Sequence, residues 1–234
     1  MSNLLEVHDI HTFIGQFHIL EGVSVEVPTG SITALLGRNG AGKTTTLKSI
    51  LGLTPPRTGQ IIYHGQPIHN MRSYDIAALG IGFVPEHRAI FRDLSVLENL
   101  KIAERKKGDL DRKADFIFGL FPDLKRLINL GGSKLSGGQQ QMLAIARALV
   151  PENRLLLIDE PSEGLAPVLI EQMAEAIRQL SAETTVLLVE QNFVVASSLA
   201  ERYVIIEEGQ SVRQGLMADL VNDQAAIHRY LGAA

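Results

Sequence analysis

One octapeptide constrains this chain more than any other feature: Gly37-Arg38-Asn39-Gly40-Ala41-Gly42-Lys43-Thr44. It fills every fixed position of G-x-x-x-x-G-K-[ST]. Ser31 to Leu36 before it reads as a buried strand, and Thr44 to Leu51 after it reads as a helix. Glycines let the backbone curl tightly and aim N–H groups at phosphate oxygens. The helix N-terminus, where Thr45 follows Thr44, adds the positive end of a dipole. Lys43 supplies a cation for the β- and γ-phosphates, and the Thr44 hydroxyl is a ligand for Mg²⁺. The loop predicts binding of a nucleoside triphosphate. It does not separate kinases, GTPases and transport ATPases, which share it.

The 234 residues suit one domain, or one domain carrying an inserted lobe. An apolar fraction of 45% and a charged fraction of 21% are ordinary for a globular protein. With 22 basic and 26 acidic residues the net charge is −4, so no nucleic-acid partner is expected. The absence of cysteine excludes disulfides and thiolate metal sites. Met1 to Ile10 lacks a basic segment followed by an apolar one, so no export signal is expected there. No apolar run approaches the ~20 residues of a membrane-spanning helix.

Leu4 to Ile10 and Gly22 to Val27 alternate apolar and polar residues, as half-buried strands do. Gln60 to Tyr63, Ile81 to Val84, Leu155 to Ile158 and Thr185 to Val189 read as further strands. Tyr203 to Glu207 and Ser211 to Gln214 read as a hairpin. Helices are expected over Val168 to Leu180 and Gln140 to Leu149, and a charged helical stretch from Val96 to about Leu130. Strands alternating with helices imply parallel βαβ units. The predicted fold is α/β: a mostly parallel core sheet, an N-terminal antiparallel β subdomain and an inserted helical subdomain. The whole chain, 1–234, reads as one domain, with core segments 1–90 and 151–234 and a helical lobe over about 91–150.

Leu155-Leu156-Leu157-Ile158-Asp159-Glu160 is an apolar strand ending in two carboxylates. In a doubly wound sheet, ligands bind at the carboxyl ends of strands. Asp159 is placed to hold Mg²⁺, directly or through water. Glu160 is placed to act as a general base on the attacking water.

Leu135-Ser136-Gly137-Gly138-Gln139 forms a second anion-binding helix start, with a hydroxyl and two glycines. A second phosphate reader in one chain is most useful to another subunit's nucleotide. This pentapeptide matches the signature of ABC (ATP-binding cassette) ATPases, and the order of motifs resembles that family over essentially the whole chain. The resemblance implies ATP hydrolysis with Mg²⁺ by a head-to-tail pair, with ATP clamped between the phosphate loop of one copy and Ser136, Gly137, Gly138 and Gln139 of the other. It further implies integral membrane permease subunits as partners, a substrate-binding protein acting indirectly, and a peripheral position on the cytoplasmic face of the cell membrane. The second ATP-binding subunit is either another copy or a related ATPase.

Three departures from the broad family pattern resemble the branched-chain amino acid importer ATPases. Val84-Pro85-Glu86 stands where most members have a Gln; Glu86 keeps an oxygen for Mg²⁺ or water. Leu188-Val189-Glu190-Gln191-Asn192 stands where most have a switch His; Gln191 still donates an amide N–H to the γ-phosphate but carries no proton charge. Gly164-Leu165-Ala166-Pro167 has Ala166 in place of Asp. Urea, short amides or other small solutes are alternative cargoes, and export is an alternative direction. A soluble non-transport ABC ATPase and a nucleotide-binding protein without turnover are the rivals from other classes. Intact Lys43, Asp159 and Glu160 argue against the second.

The family stacks an aromatic ring on adenine just before a glycine like Gly15. Ile14 stands there, so Phe13 or Ile14 is expected to cover the base, with a plain core role for Phe13 left open. Phe91 to Asn99 lines the groove for a permease helix or fills the core. The seven histidines show no metal-ligand spacing and are expected to be structural or exposed.

Overall fold

The computed structural model describes residues 2–232. Its strands are β1 (Asn3–Ile14), β2 (Phe17–Pro28), β3 (Ile32–Leu36), β4 (Thr58–Tyr63), β5 (Gln66–Pro67), β6 (Ile81–Val84), β7 (Leu155–Asp159), β8 (Thr185–Glu190), β9 (Arg202–Glu207) and β10 (Gln210–Leu216). Its α-helices are α1 (Lys43–Ile50), α2 (Ser73–Ala78), α3 (Val96–Lys101), α4 (Asp109–Leu120), α5 (Pro122–Arg126), α6 (Gly137–Leu149), α7 (Pro167–Leu180), α8 (Phe193–Leu199), α9 (Met217–Val221) and α10 (Gln224–Ala226).

Two sheets result. The core sheet runs β10-β9-β3-β8-β7-β6, and all its pairs are parallel except β9 with β10. The second sheet, β2-β1-β4-β5, is antiparallel. The core strands are apolar runs because the sheet is covered on both faces. Ala34, Leu36, Leu156, Ile158, Val186 and Leu188 pack with α3 to α8. The alternate residues Leu35, Leu155, Leu157, Leu187 and Val189 pack with α1 and the antiparallel sheet.

The first hairpin is longer than the alternation predicts. β1 continues to Ile14 and β2 begins at Phe17, joined at Gly15, whose φ is 61°. Bulges near Asp9 and Gly22 interrupt the period-two pattern, so the tip does not read as strand. Helix α6 begins at Gly137, three residues before the predicted start, because Ser136 caps it. Helices α2, α8 and α9 are not expected from the sequence, being short and without a long amphipathic period.

Candidate functional site

The phosphate loop leaves the carboxyl end of β3 and enters α1. Gly37, Gly40 and Gly42 have φ of 153°, 81° and 111°. A Cβ on Gly37 would lie 2.3 Å from the carbonyl oxygen of Ile206, so the approach to β9 admits only glycine. Gly42 precedes α1 and offers no capping side chain, which leaves the amides of the first turn to a ligand. Lys43 is only 4% exposed. Its ammonium donates to the carbonyl of Gly37 at 2.8 Å and that of Arg38 at 3.1 Å, and pairs with Glu160 at 3.0 Å.

Around this ammonium lies a cavity of about 450 Å³, lined by Ile14, Ile19, Asn39, Gly40, Gly42, Lys43, Thr44, Thr45, Glu86, Glu160 and Glu163. Asp159, 1% exposed, sits at the end of β7 and accepts a hydrogen bond from the Thr44 hydroxyl at 3.2 Å. Burial pushes its carboxyl up to about 6; the Thr44 hydroxyl and Lys43 oppose the rise, while Glu160 and Glu86 add to it. Acids thus outnumber the one buried cation, and a divalent cation beside Thr44 and Asp159 fits that imbalance. Among the described residues no group of three His, Asp or Glu could hold a metal unaided. That suits Mg²⁺, which is commonly bound by one or two protein groups together with substrate phosphates. Glu160 itself has φ 43°, an uncommon backbone for a non-glycine residue.

The other sequence-predicted residues distribute unevenly. Arg38 turns away, its guanidinium donating to the carbonyl of Arg229 at 3.1 Å, and Ala41 is buried. Phe13 does not line the cavity. His18 stacks on its ring at 4.1 Å and the Arg57 guanidinium lies 4.0 Å from its centroid. Of the two residues expected at the adenine, Ile14 lines the cavity and Phe13 packs against His18 and Arg57 instead. Gln191 is exposed just beyond β8 and does not line the cavity.

Ser136, Gly137, Gly138 and Gln139 lie outside the cavity lining. Ser136 accepts from the Gln139 N–H at 3.3 Å, and the Gln139 side chain accepts from the Ser136 N–H at 3.0 Å, a reciprocal cap. A Cβ on Gly138 would meet the Leu169 side chain at 2.3 Å, so α6 approaches α7 closely at this point.

Ile19, Glu163 and Glu190 carry no role in the motifs of the sequence. The first two reach the cavity through folding alone. Glu190 carried a signal, since Leu187-Leu188-Val189-Glu190 is an apolar strand ending in an acid, as Leu155 to Asp159 is. Glu190 is 1% exposed, and burial pushes its carboxyl up to about 7.

Asp159 and Glu190 both hold their protons more tightly folded than unfolded. Their stabilising contribution is full below the ordinary carboxylate range and is lost as pH rises through about 6 and about 7. Chemical unfolding of the nucleotide- and metal-free protein is expected to show stability falling from about pH 5 to about pH 7. Over that window about one pH unit of displacement remains for Asp159 and two for Glu190, so at about 1.4 kcal/mol per unit the loss is on the order of 4 kcal/mol. A flat or rising profile would contradict it.

Residues 20–163 match the family model described as ABC transporter. The chain is 41% identical to the high-affinity branched-chain amino acid transport ATP-binding protein BraG of Pseudomonas aeruginosa, over 98% of this chain and 100% of that one. It is 35% identical to the probable branched-chain amino acid transport ATP-binding protein LivF of Archaeoglobus fulgidus, over 89% and 90%. It is also 32% identical to the lipopolysaccharide export system ATP-binding protein LptB of Acidithiobacillus ferridurans, over 99% and 98%. The ADP conformation of an ATP-binding cassette of an ABC transporter superposes with TM-score 0.86 at 24% identity, covering both chains fully, a likeness of fold. The chain belongs to the ABC transporter ATP-binding family, whose members are ATPases. No helix among the described residues is long and apolar enough to cross a membrane.

Proposed function

We propose that this chain hydrolyses ATP, with Mg²⁺, to drive an importer of branched-chain amino acids. The convergence of Lys43, Thr44 and Glu160 on one cavity, with Asp159 hydrogen-bonded to Thr44, carries the catalytic part of this reading. The similarity to BraG and LivF supports the cargo.

In this reading Lys43 and the amides of the phosphate loop bind the β- and γ-phosphates, and Ile14 covers the adenine. Thr44 and Asp159 hold Mg²⁺, with an oxygen of Glu86 directed at the metal or the water. When bound, Mg²⁺ neutralises charge developing on the phosphate oxygens. Glu160 takes the proton from the attacking water. Gln191 donates its amide N–H to the γ-phosphate once the two subunits close.

Ser136 to Gln139 lie apart from this chain's own cavity, which supports their service to the nucleotide of a second ATP-binding subunit. A dimeric bacterial ABC transporter cassette of the same fold is known, with TM-score 0.81. The further partners are integral membrane permease subunits, met at the cytoplasmic face, and through them a substrate-binding protein.

Uptake of labelled leucine and labelled urea in source cells lacking this gene tests the reading. Loss of leucine uptake, restored by wild type and not by Glu160→Gln, is the expected result. Loss of urea uptake alone would replace the cargo. No change in either would overturn the importer reading.

A further inference from the structure

Glu190 has no part in the mechanism above, yet it sits at the centre of the site's architecture. Strand β8 lies between β3, which leads into the phosphate loop, and β7, which carries Asp159. In that register Leu36 pairs with Glu190, and Asp159 pairs with Val189. Among the described residues no cation lies within ion-pair distance of the Glu190 carboxylate. Three hydrogen bonds hold it instead. It accepts from the Ser162 N–H at 3.1 Å, the Ser162 hydroxyl at 2.9 Å and the Asn192 N–H at 3.3 Å. One residue earlier, the Val189 carbonyl accepts from the Glu160 N–H at 3.0 Å.

The segment Glu160-Pro161-Ser162 is therefore stitched to the end of β8 at two successive residues. On the far side, the Asn192 side chain caps α8, accepting from the Val194 and Val195 N–H groups. Gln191 lies between these two anchors. Burying an acid without a cation is costly, and hydrogen bonds to it must offset that cost. An apolar residue would fill the end of β8 more cheaply but could not grip a loop. The left-handed backbone at Glu160 persists only where its surroundings hold it, and the Glu190 bonds to Ser162 supply part of that hold.

We propose that Glu190 is a positioning residue for ATP hydrolysis: it clips the loop after Glu160 to the strand end that carries Gln191. The inference rests on the roles given above to Glu160 and Gln191. A hydrolytic base and a γ-phosphate contact reached from two different strands must keep a fixed relation, and Glu190 is the side chain that spans both.

The test is steady-state ATP hydrolysis by the full chain with Mg²⁺, comparing Glu190→Gln, Ser162→Ala, the double variant and Glu160→Gln. Glutamine keeps the size of the side chain but turns a donor toward the Asn192 N–H. Glu190→Gln is expected to lower kcat about tenfold with KM for ATP nearly unchanged, as loss of a hydrogen bond to a charged group predicts. Ser162→Ala keeps the carboxylate and should lower kcat by less. Because both changes open the same clip, the double variant should be little worse than Glu190→Gln alone. If Glu190→Gln fails to fold, Ser162→Ala carries the test through its own smaller loss in kcat with KM for ATP unchanged.

Wild-type kcat in Glu190→Gln or, should that variant not fold, in Ser162→Ala would overturn the proposal. So would a lowered melting temperature with kcat intact. Glu160→Gln separates the two readings. Loss of turnover there beside full turnover in Glu190→Gln overturns the clip alone. Full turnover in Glu160→Gln overturns the base assignment and the clip together.

Discussion

Lys43→Ala is expected to cripple ATP hydrolysis, with turnover falling by about 10²–10³-fold, the scale seen when one donor that stabilises developing negative charge is removed. The ammonium is nearly fully buried, and it meets Gly37, Arg38 and Glu160 at once. Without it the cavity keeps Glu86, Glu160 and Glu163, with Asp159 bonded to the lining Thr44, and the triphosphate would meet acids with no protein cation among the lining residues. Binding should therefore fail along with chemistry. A fluorescent ATP analogue titrated into the variant would show this directly. Melting temperature should be followed in parallel, because the carbonyls of Gly37 and Arg38 lose their donor. Binding and turnover within about tenfold of wild type would contradict the role assigned to Lys43.

Glu160→Gln should behave differently. The amide preserves size and tolerates the same backbone, but it cannot accept a proton from water. Turnover should fall by about 10²–10⁴-fold, the usual worth of a general base, while ATP binding is retained. Added ATP should then hold two subunits together, because the step that releases them is blocked. Gel filtration with and without ATP reads this as a shift from monomer to dimer. Full hydrolysis by the variant would remove Glu160 from the chemistry. The contrast between the two variants, one failing to bind and the other failing to turn over, distinguishes a phosphate holder from a water activator.

Much of this was legible in the sequence because phosphate binding demands particular backbones. Gly37, Gly40 and Gly42 adopt positive φ, and a chain that needs such angles at fixed spacing writes glycine there. Ser136 to Gln139 show as a helix start from their hydroxyl and two glycines, but the reciprocal cap that begins α6 at Gly137 shows only in the structure. The core strands showed as apolar runs, because a sheet covered on both faces has no polar side. What the runs do not encode is order. β3 lies between β9 and β8, both distant in sequence, and no local pattern states that pairing. The sequence leaves the adenine side open between Phe13 and Ile14, because an aromatic residue in a hairpin can face either way. Here its two faces are taken by His18 and Arg57. Glu190 went without a role because its function depends on Ser162, 28 residues earlier in the chain and brought close only by the parallel pairing of β7 with β8.

Leu187 and Leu188 are adjacent in the chain, yet they belong to separate cores on opposite faces of the sheet. The sheet thus acts as a party wall between two neighbours. On one side live α1 and the antiparallel sheet; on the other, helices α3 to α8. Selection can remodel the helices on one face while the opposite room keeps the helix that follows the phosphate loop, and a lineage built this way can change one side without relearning the other.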